Sequence, residues 1–97
     1  MYQISFRSEA KNDIKIAYDW YETQRLGLGE DFLLTLEASY AEIARTPTLY
    51  QTIHKTARRK LVRRFPYGIY FTIRGKVIIV LAVLHTKRDP KIWEERT

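Results

Sequence analysis

The chain has 97 residues, no cysteine and a formal net charge of +6. That length reads as one domain, residues 1–97, with a single modest core, and the missing cysteine excludes a disulfide framework, a thiolate metal site and a thiolate nucleophile. The charge is uneven: residues 1–46 carry 5 basic and 8 acidic side chains (5 − 8 = −3), and residues 47–97 carry 12 and 3 (12 − 3 = +9). A basic second half implies an anionic partner facing it, either nucleic acid or an acidic protein. The first residues lack the apolar core of a signal peptide, and the longest apolar run, Val77 to Leu84, falls far short of the ~20 residues that cross a bilayer. A cytoplasmic protein without a membrane partner is the expectation.

Tyr2 to Phe6 alternates apolar and polar side chains and predicts a short half-buried strand. Ser8 is placed to cap a following helix. That helix carries Ile14, Ala17, Tyr18 and Tyr21 at i, i+3, i+4, i+7, with Trp20 widening the stripe. Gly27 and Gly29 break the period and allow the positive φ of a helix end and tight turn. Glu30 and Asp31 open a second helix at its positive end. Its stripe is Leu33, Leu36, Tyr40, Ile43 and Ala44, and Pro47 ends it. Residues 49–55 are left open between a loop and a brief extended segment.

The chain is organised around Arg58 to Pro90. Ala57 to Phe65 reads as a strand crowded with basic side chains, and Pro66 marks a bend. In the next strand Tyr67, Ile69, Phe71 and Ile73 share one face, and Tyr70, Thr72 and Arg74 the other. Arg74-Gly75-Lys76 is short enough for a hairpin turn. Val77 to Leu84 is apolar on both faces, as in a central, doubly covered strand. Asp89 and Pro90 suit the cap and first position of a terminal helical turn. The order is an N-terminal strand, an antiparallel helical hairpin, a three-stranded antiparallel meander completing one sheet, and a short C-terminal helix: an α+β domain.

The densest chemistry is Lys55, Arg58, Arg59, Lys60, Arg63 and Arg64. On a strand Arg59 and Arg63 would point one way, and Lys60 and Arg64 the other. Either pair could clamp phosphate; the alternative is an edge strand protected by charge. Lys87, Arg88 and Lys91 converge on the same surface if the last strand pairs near the basic one. His85, at a strand end among cations, is a candidate acid or base, with local packing as the alternative. His54 and His85 lack a third ligand, and no metal or cofactor is expected. Trp93 either packs the tail onto the sheet or meets a partner.

Five segments in this order resemble the RelE/ParE superfamily of type II toxin–antitoxin toxins, over nearly the whole chain. They are Ala17-Tyr-Asp-Trp-Tyr-Glu22, Gly27-Leu-Gly-Glu-Asp-Phe32, Arg63-Arg-Phe-Pro-Tyr-Gly-Ile-Tyr70, Ala82-Val-Leu-His85 and Arg88-Asp-Pro-Lys-Ile-Trp93. The resemblance implies the fold just derived and a cognate antitoxin held in a tight complex. It also implies one of two targets. RelE-like members cut mRNA on the ribosome with lysines, arginines and a late tyrosine, whereas ParE-like members inhibit DNA gyrase. Carried over position by position, Arg59 and Arg88 keep the basic character, and with His85 they are the candidates for any catalysis. Leu61, Gly68 and Trp93 stand where the nucleases tend to carry a lysine, an arginine and a tyrosine. Glycine has no side chain to reach phosphate, and an indole cannot act as a general base. The Trp-Tyr-Glu and His-x-x-Arg-Asp-Pro segments look more like the ParE side. The resemblance therefore implies a plasmid-stabilisation type of toxin that arrests growth through gyrase. Arg59, Arg63, Arg64, Lys87, Arg88 and Trp93 are its expected target-binding residues. The alternatives are an mRNA endoribonuclease or a basic binding domain without toxicity.

Overall fold

The computed structural model describes residues 2–97. The elements are β1 (Gln3–Phe6), α1 (Ser8–Gln24), α2 (Leu28–Arg45), a 3-10 turn (Pro47–Leu49), β2 (Thr52–His54), β3 (Ala57–Leu61), β4 (Tyr67–Arg74), β5 (Val77–His85) and α3 (Lys91–Glu94). They build one five-stranded sheet in the order β1-β5-β4-β3-β2. Strands β2 to β5 run as an antiparallel meander, and β1 pairs in parallel with β5. The segment left open in the sequence thus supplies the 3-10 turn and the short edge strand β2. Strand β5 is an inner strand between β1 and β4, covered on both faces as its apolar side chains require.

The two faces of the sheet are covered differently. The hairpin α1–α2 packs on one face, burying Phe32, Leu36, Ile43, Ile69, Phe71, Ile78 and Val80. Each such side chain contributes about 1.5–3 kcal/mol when fully removed from water. Phe32, absent from the expected stripe, is the centre of an aromatic group: Tyr21, Phe65 and Tyr67 lie within 5.0–5.2 Å of it, ring centre to ring centre. Conversely Trp20, expected to widen the α1 stripe, is 57% exposed. The buried positions of α1 are Ala10, Asp13 and Ala17. Among the described residues, the opposite face of the sheet is covered by α3. There the Trp93 ring lies parallel to that of Tyr70, 4.7 Å away, with Leu81, Ala82 and Leu84 around it.

Three local devices hold this arrangement. Gly27 takes φ +91°, which reverses the chain between the helices. The carboxylate of Glu22 then accepts the N–H groups of Gly27 (2.9 Å) and Gly29 (2.8 Å), capping α2 from the neighbouring helix. A Cβ on Gly29 would lie 2.7 Å from Glu22 Cγ and 2.8 Å from the Tyr18 ring, so only glycine lets the helices meet here. Glu22→Ala is expected to lower stability by about 2 kcal/mol, read as a shift of the urea midpoint. Ser8, by contrast, is no cap. Arg7 is still extended, its N–H bonded to the Val80 carbonyl, so the helix begins at Ser8 itself, whose hydroxyl meets only Glu9.

The third device is a β-bulge. Tyr70 faces Ala82 while Phe71 faces Val80, which leaves Leu81 as an extra residue. Strand β1 ends opposite Val80, so the β5 edge beyond it needs other partners. Asp13 accepts the Val83 N–H (3.1 Å), and Arg96 donates to the Leu81 carbonyl (3.1 Å). Arg96 and Asp13 also bind each other at 2.6 Å, and both are largely buried. The tail beyond α3 is thereby fastened to α1 across the free edge of the sheet.

Candidate target-binding surface

The basic strand is shorter than its sequence suggests. β3 ends at Leu61, and Arg63 and Arg64 lie in the loop that follows, not on alternating strand faces. The cause is Phe65-Pro66. Phe65 turns inward against Tyr21 and Phe32, Pro66 has no N–H for a ladder, and Val62 closes the loop by donating to the Tyr67 carbonyl (2.9 Å). Arg64 completes the turn with φ +70°, in the left-handed region.

The cations divide by face. Arg58 and Lys60 pair with Phe71 and Ile69 and so lie on the helical side. Arg58 donates to the carbonyls of Thr48 and Tyr50, and Lys60 stands 3.8 Å from Glu42 and over the Tyr50 ring. Arg63 and Arg64 reach back to Glu42 (3.6 Å) and Asp31 (3.7 Å) of α2. Arg59 pairs with Tyr70, so its side chain leaves on the α3 face. Lys87 and Arg88 occupy the turn after β5. The Thr86 N–H bonds to the Pro66 carbonyl (2.9 Å), which ties that turn to the loop bearing Arg63 and Arg64. The two loops therefore meet at one end of the sheet, where the last strand β5 pairs with β4, the neighbour of the basic strand β3. Arg59 lies two residues before the β3 end that leads there.

Among the described residues, Arg59, Lys87 and Arg88 make no ion pair. Five of the six expected target-binding residues are exposed: Arg59, Arg63, Arg64, Lys87 and Arg88. The sixth, Trp93, is 7% exposed. Of the two alternatives open for it, this placement is the one in which it packs the tail onto the sheet. His54, on β2, meets the edge of the same indole at 6.0 Å.

His85 is fixed by its own turn. Its Nδ1 accepts the Lys87 N–H (3.0 Å), which leaves the proton of a neutral ring on Nε2. Its ring lies 5.5 Å from that of Tyr67. Burial pushes the Tyr67 phenol above its ordinary value, and the Arg88 charge opposes part of that shift. At neutral pH Tyr67 thus keeps its proton and cannot serve as a base. Gly68 sits directly across from Leu61. A Cβ there would come within 3.1–3.2 Å of the Tyr70 ring and hydroxyl, so Tyr70 already occupies the space a longer side chain would need. Leu61 is exposed at this rim. The sequence signalled the exposed arginines by their density, but Asp13, Glu22 and Arg96 gave no such signal, because single charges at wide spacing resemble surface residues.

No helix among the described residues is long and apolar enough to cross a membrane. No curated protein sequence matches the chain. Among solved structures, one described as "Chromosomal ParDE TA system from P. aeruginosa" is similar, with a TM-score of 0.76 and 16% identity, covering 88% of this chain and 96% of that one. At that identity the likeness shows a shared fold. The model of a family described as "ParE toxin of type II toxin-antitoxin system, parDE" matches residues 4–90. That span takes in all but the first residue of β1, every element from α1 to β5 and both loops of the basic sheet end, and the chain belongs to the ParE toxin family of type II toxin–antitoxin systems.

Proposed function

We propose that this toxin arrests growth by binding DNA gyrase, and that a cognate antitoxin neutralises it by tight binding. The target surface is the basic sheet end, formed by Arg63 and Arg64 of one loop and Lys87 and Arg88 of the other, with Arg59 beside it. What supports gyrase over RNA cleavage is the packing around Gly68. The Tyr70 ring closes over that glycine and Trp93 closes over Tyr70, so these two positions serve the core. The exposed cations are suited to gripping a negatively charged protein or protein–DNA surface. Lys60 and Arg58, half-buried on the helical side against Glu42 and the Thr48 and Tyr50 carbonyls, hold the fold instead.

Controlled expression in growing cells separates the two targets. The expected result is arrest accompanied by double-strand breaks in DNA, with mRNA ends unchanged on translating ribosomes. New mRNA ends with intact DNA would replace this reading with the endoribonuclease. Continued growth would indicate a binding domain without toxicity.

A further inference from the structure

Ile16 and Trp20 form an apolar pair one turn apart on α1, 59% and 57% exposed. The residues one turn before and after them, Asn12 and Gln24, are uncharged, and the adjacent charges Lys15 and Asp19 are paired with each other at 2.9 Å. The position of the pair follows from how α1 borders β5. Strand β1 stops opposite Val80, and from there α1 runs beside β5. Asp13 accepts the Val83 N–H (3.1 Å), and further on the Tyr21 ring lies 5.9 Å from that of Tyr67, the residue opposite His85. Trp20 follows Asp13 by two turns on the same stripe, about 10 Å along the axis. An equal advance of about 10 Å along β5 from Val83 passes the strand end at His85 and reaches Thr86. Trp20 is therefore level with the turn that carries Lys87 and Arg88, where no strand remains to cover it. Neither cation makes an ion pair among the described residues, and the carboxylate in their turn, Asp89, is engaged by the Lys91 N–H.

We propose that Trp20, with Ile16 beside it, is the apolar anchor of the target surface, and that the contact is made to protein: a hollow that takes the indole, edged by carboxylates that meet Lys87 and Arg88. This inference rests on the proposed function and deepens it, because it assigns the grip to the gyrase protein and not to its DNA. Protein interfaces concentrate their binding energy on a few side chains, tryptophan and arginine foremost, with an apolar centre inside a polar rim. A nucleic-acid strand would suit the cations and could stack a base on the indole, but it would leave Ile16 wet. The expectation for the two tryptophans is thereby reversed. Trp93, assigned to the target, covers Tyr70 in the core, and Trp20, assigned to the core stripe, is the indole free to meet a partner.

The test measures binding of the full chain to purified gyrase in the absence of DNA, and separately to short single-stranded and duplex DNA. Trp20→Ala should fold as the native chain does, since the indole is exposed and alanine is the better helix former; an unchanged melting curve checks this. The native chain is expected to bind gyrase without DNA, and Trp20→Ala to bind it at least about tenfold more weakly. Trp20→Phe should recover part of that loss, and Lys87→Ala/Arg88→Ala should weaken binding together with its salt dependence. Equal binding by the native chain and folded Trp20→Ala would overturn the proposal. So would gyrase binding that requires DNA, or an equal loss in Trp20→Ala when DNA alone is the ligand. Growth arrest in cells separates this inference from the proposed function. If the native chain arrests growth without binding or trapping gyrase, and folded Trp20→Ala no longer does, the anchor stands and gyrase falls as the target. If gyrase is trapped and growth arrested equally by both chains, gyrase stands and the anchor falls.

Discussion

Replacing Asp13 with alanine is expected to cost about 3–5 kcal/mol of stability, because it leaves the Arg96 guanidinium buried without its counter-charge. The loss has a second part. The Val83 N–H, held by Asp13 at the free edge of β5, loses its acceptor. For a domain of this size the melting temperature should fall by roughly 15–30 °C. The double variant Asp13→Leu/Arg96→Met should retain much more stability than Asp13→Ala alone, since removing both charges removes the desolvation cost as well. Urea denaturation of the three proteins checks this. A loss below about 1 kcal/mol in Asp13→Ala would place the pair among surface ion pairs, which contribute little.

Trp93→Ala is expected to cost about 3 kcal/mol, the low end for a buried aromatic because the tail can loosen locally. Its indole is the main cover over Tyr70 and the bulged part of β5. Trp93→Phe keeps a flat apolar ring there and should lose less than about 1.5 kcal/mol. If Trp93 acts only through packing, gyrase inhibition should survive in the phenylalanine variant. A stable Trp93→Ala protein that no longer inhibits gyrase would make the indole a target contact despite its burial.

Much of the fold was legible because it rests on local periodicity. Val77 to Leu84 is apolar on both faces and lies where such a strand must, between β1 and β4. Gly27 and Gly29 marked the helix reversal, and Asp89 caps the terminal turn, its carboxylate accepting the Lys91 N–H at 3.0 Å. What the pattern could not carry was set by tertiary contacts. Arg63 and Arg64 continue a strand-like composition, yet Phe65 is drawn into the aromatic group around Phe32 and takes the chain off the sheet. Ser8 has the right type for a cap, but the β1–β5 pairing runs through Arg7 and displaces it. Thr52–His54 is too short and polar to announce a strand and forms one against β3. The charged residues divide similarly. A run of arginines is visible in a sequence, whereas the match of Asp13 with Arg96 joins residues at opposite ends of the chain.

The proposed grip on gyrase rests on the exposed cations of the basic sheet end, of which Arg59 and Arg88 make no ion pair among the described residues. It is tested most directly by trapping of cleaved DNA with purified gyrase, using the native chain, Arg59→Ala and Arg88→Ala. The native chain should trap the cleaved complex at micromolar concentration. Each variant should need at least about tenfold more protein while its stability stays within about 0.5 kcal/mol of the native value, as for other exposed positions. Full trapping by both folded variants, or none by the native chain, would contradict it.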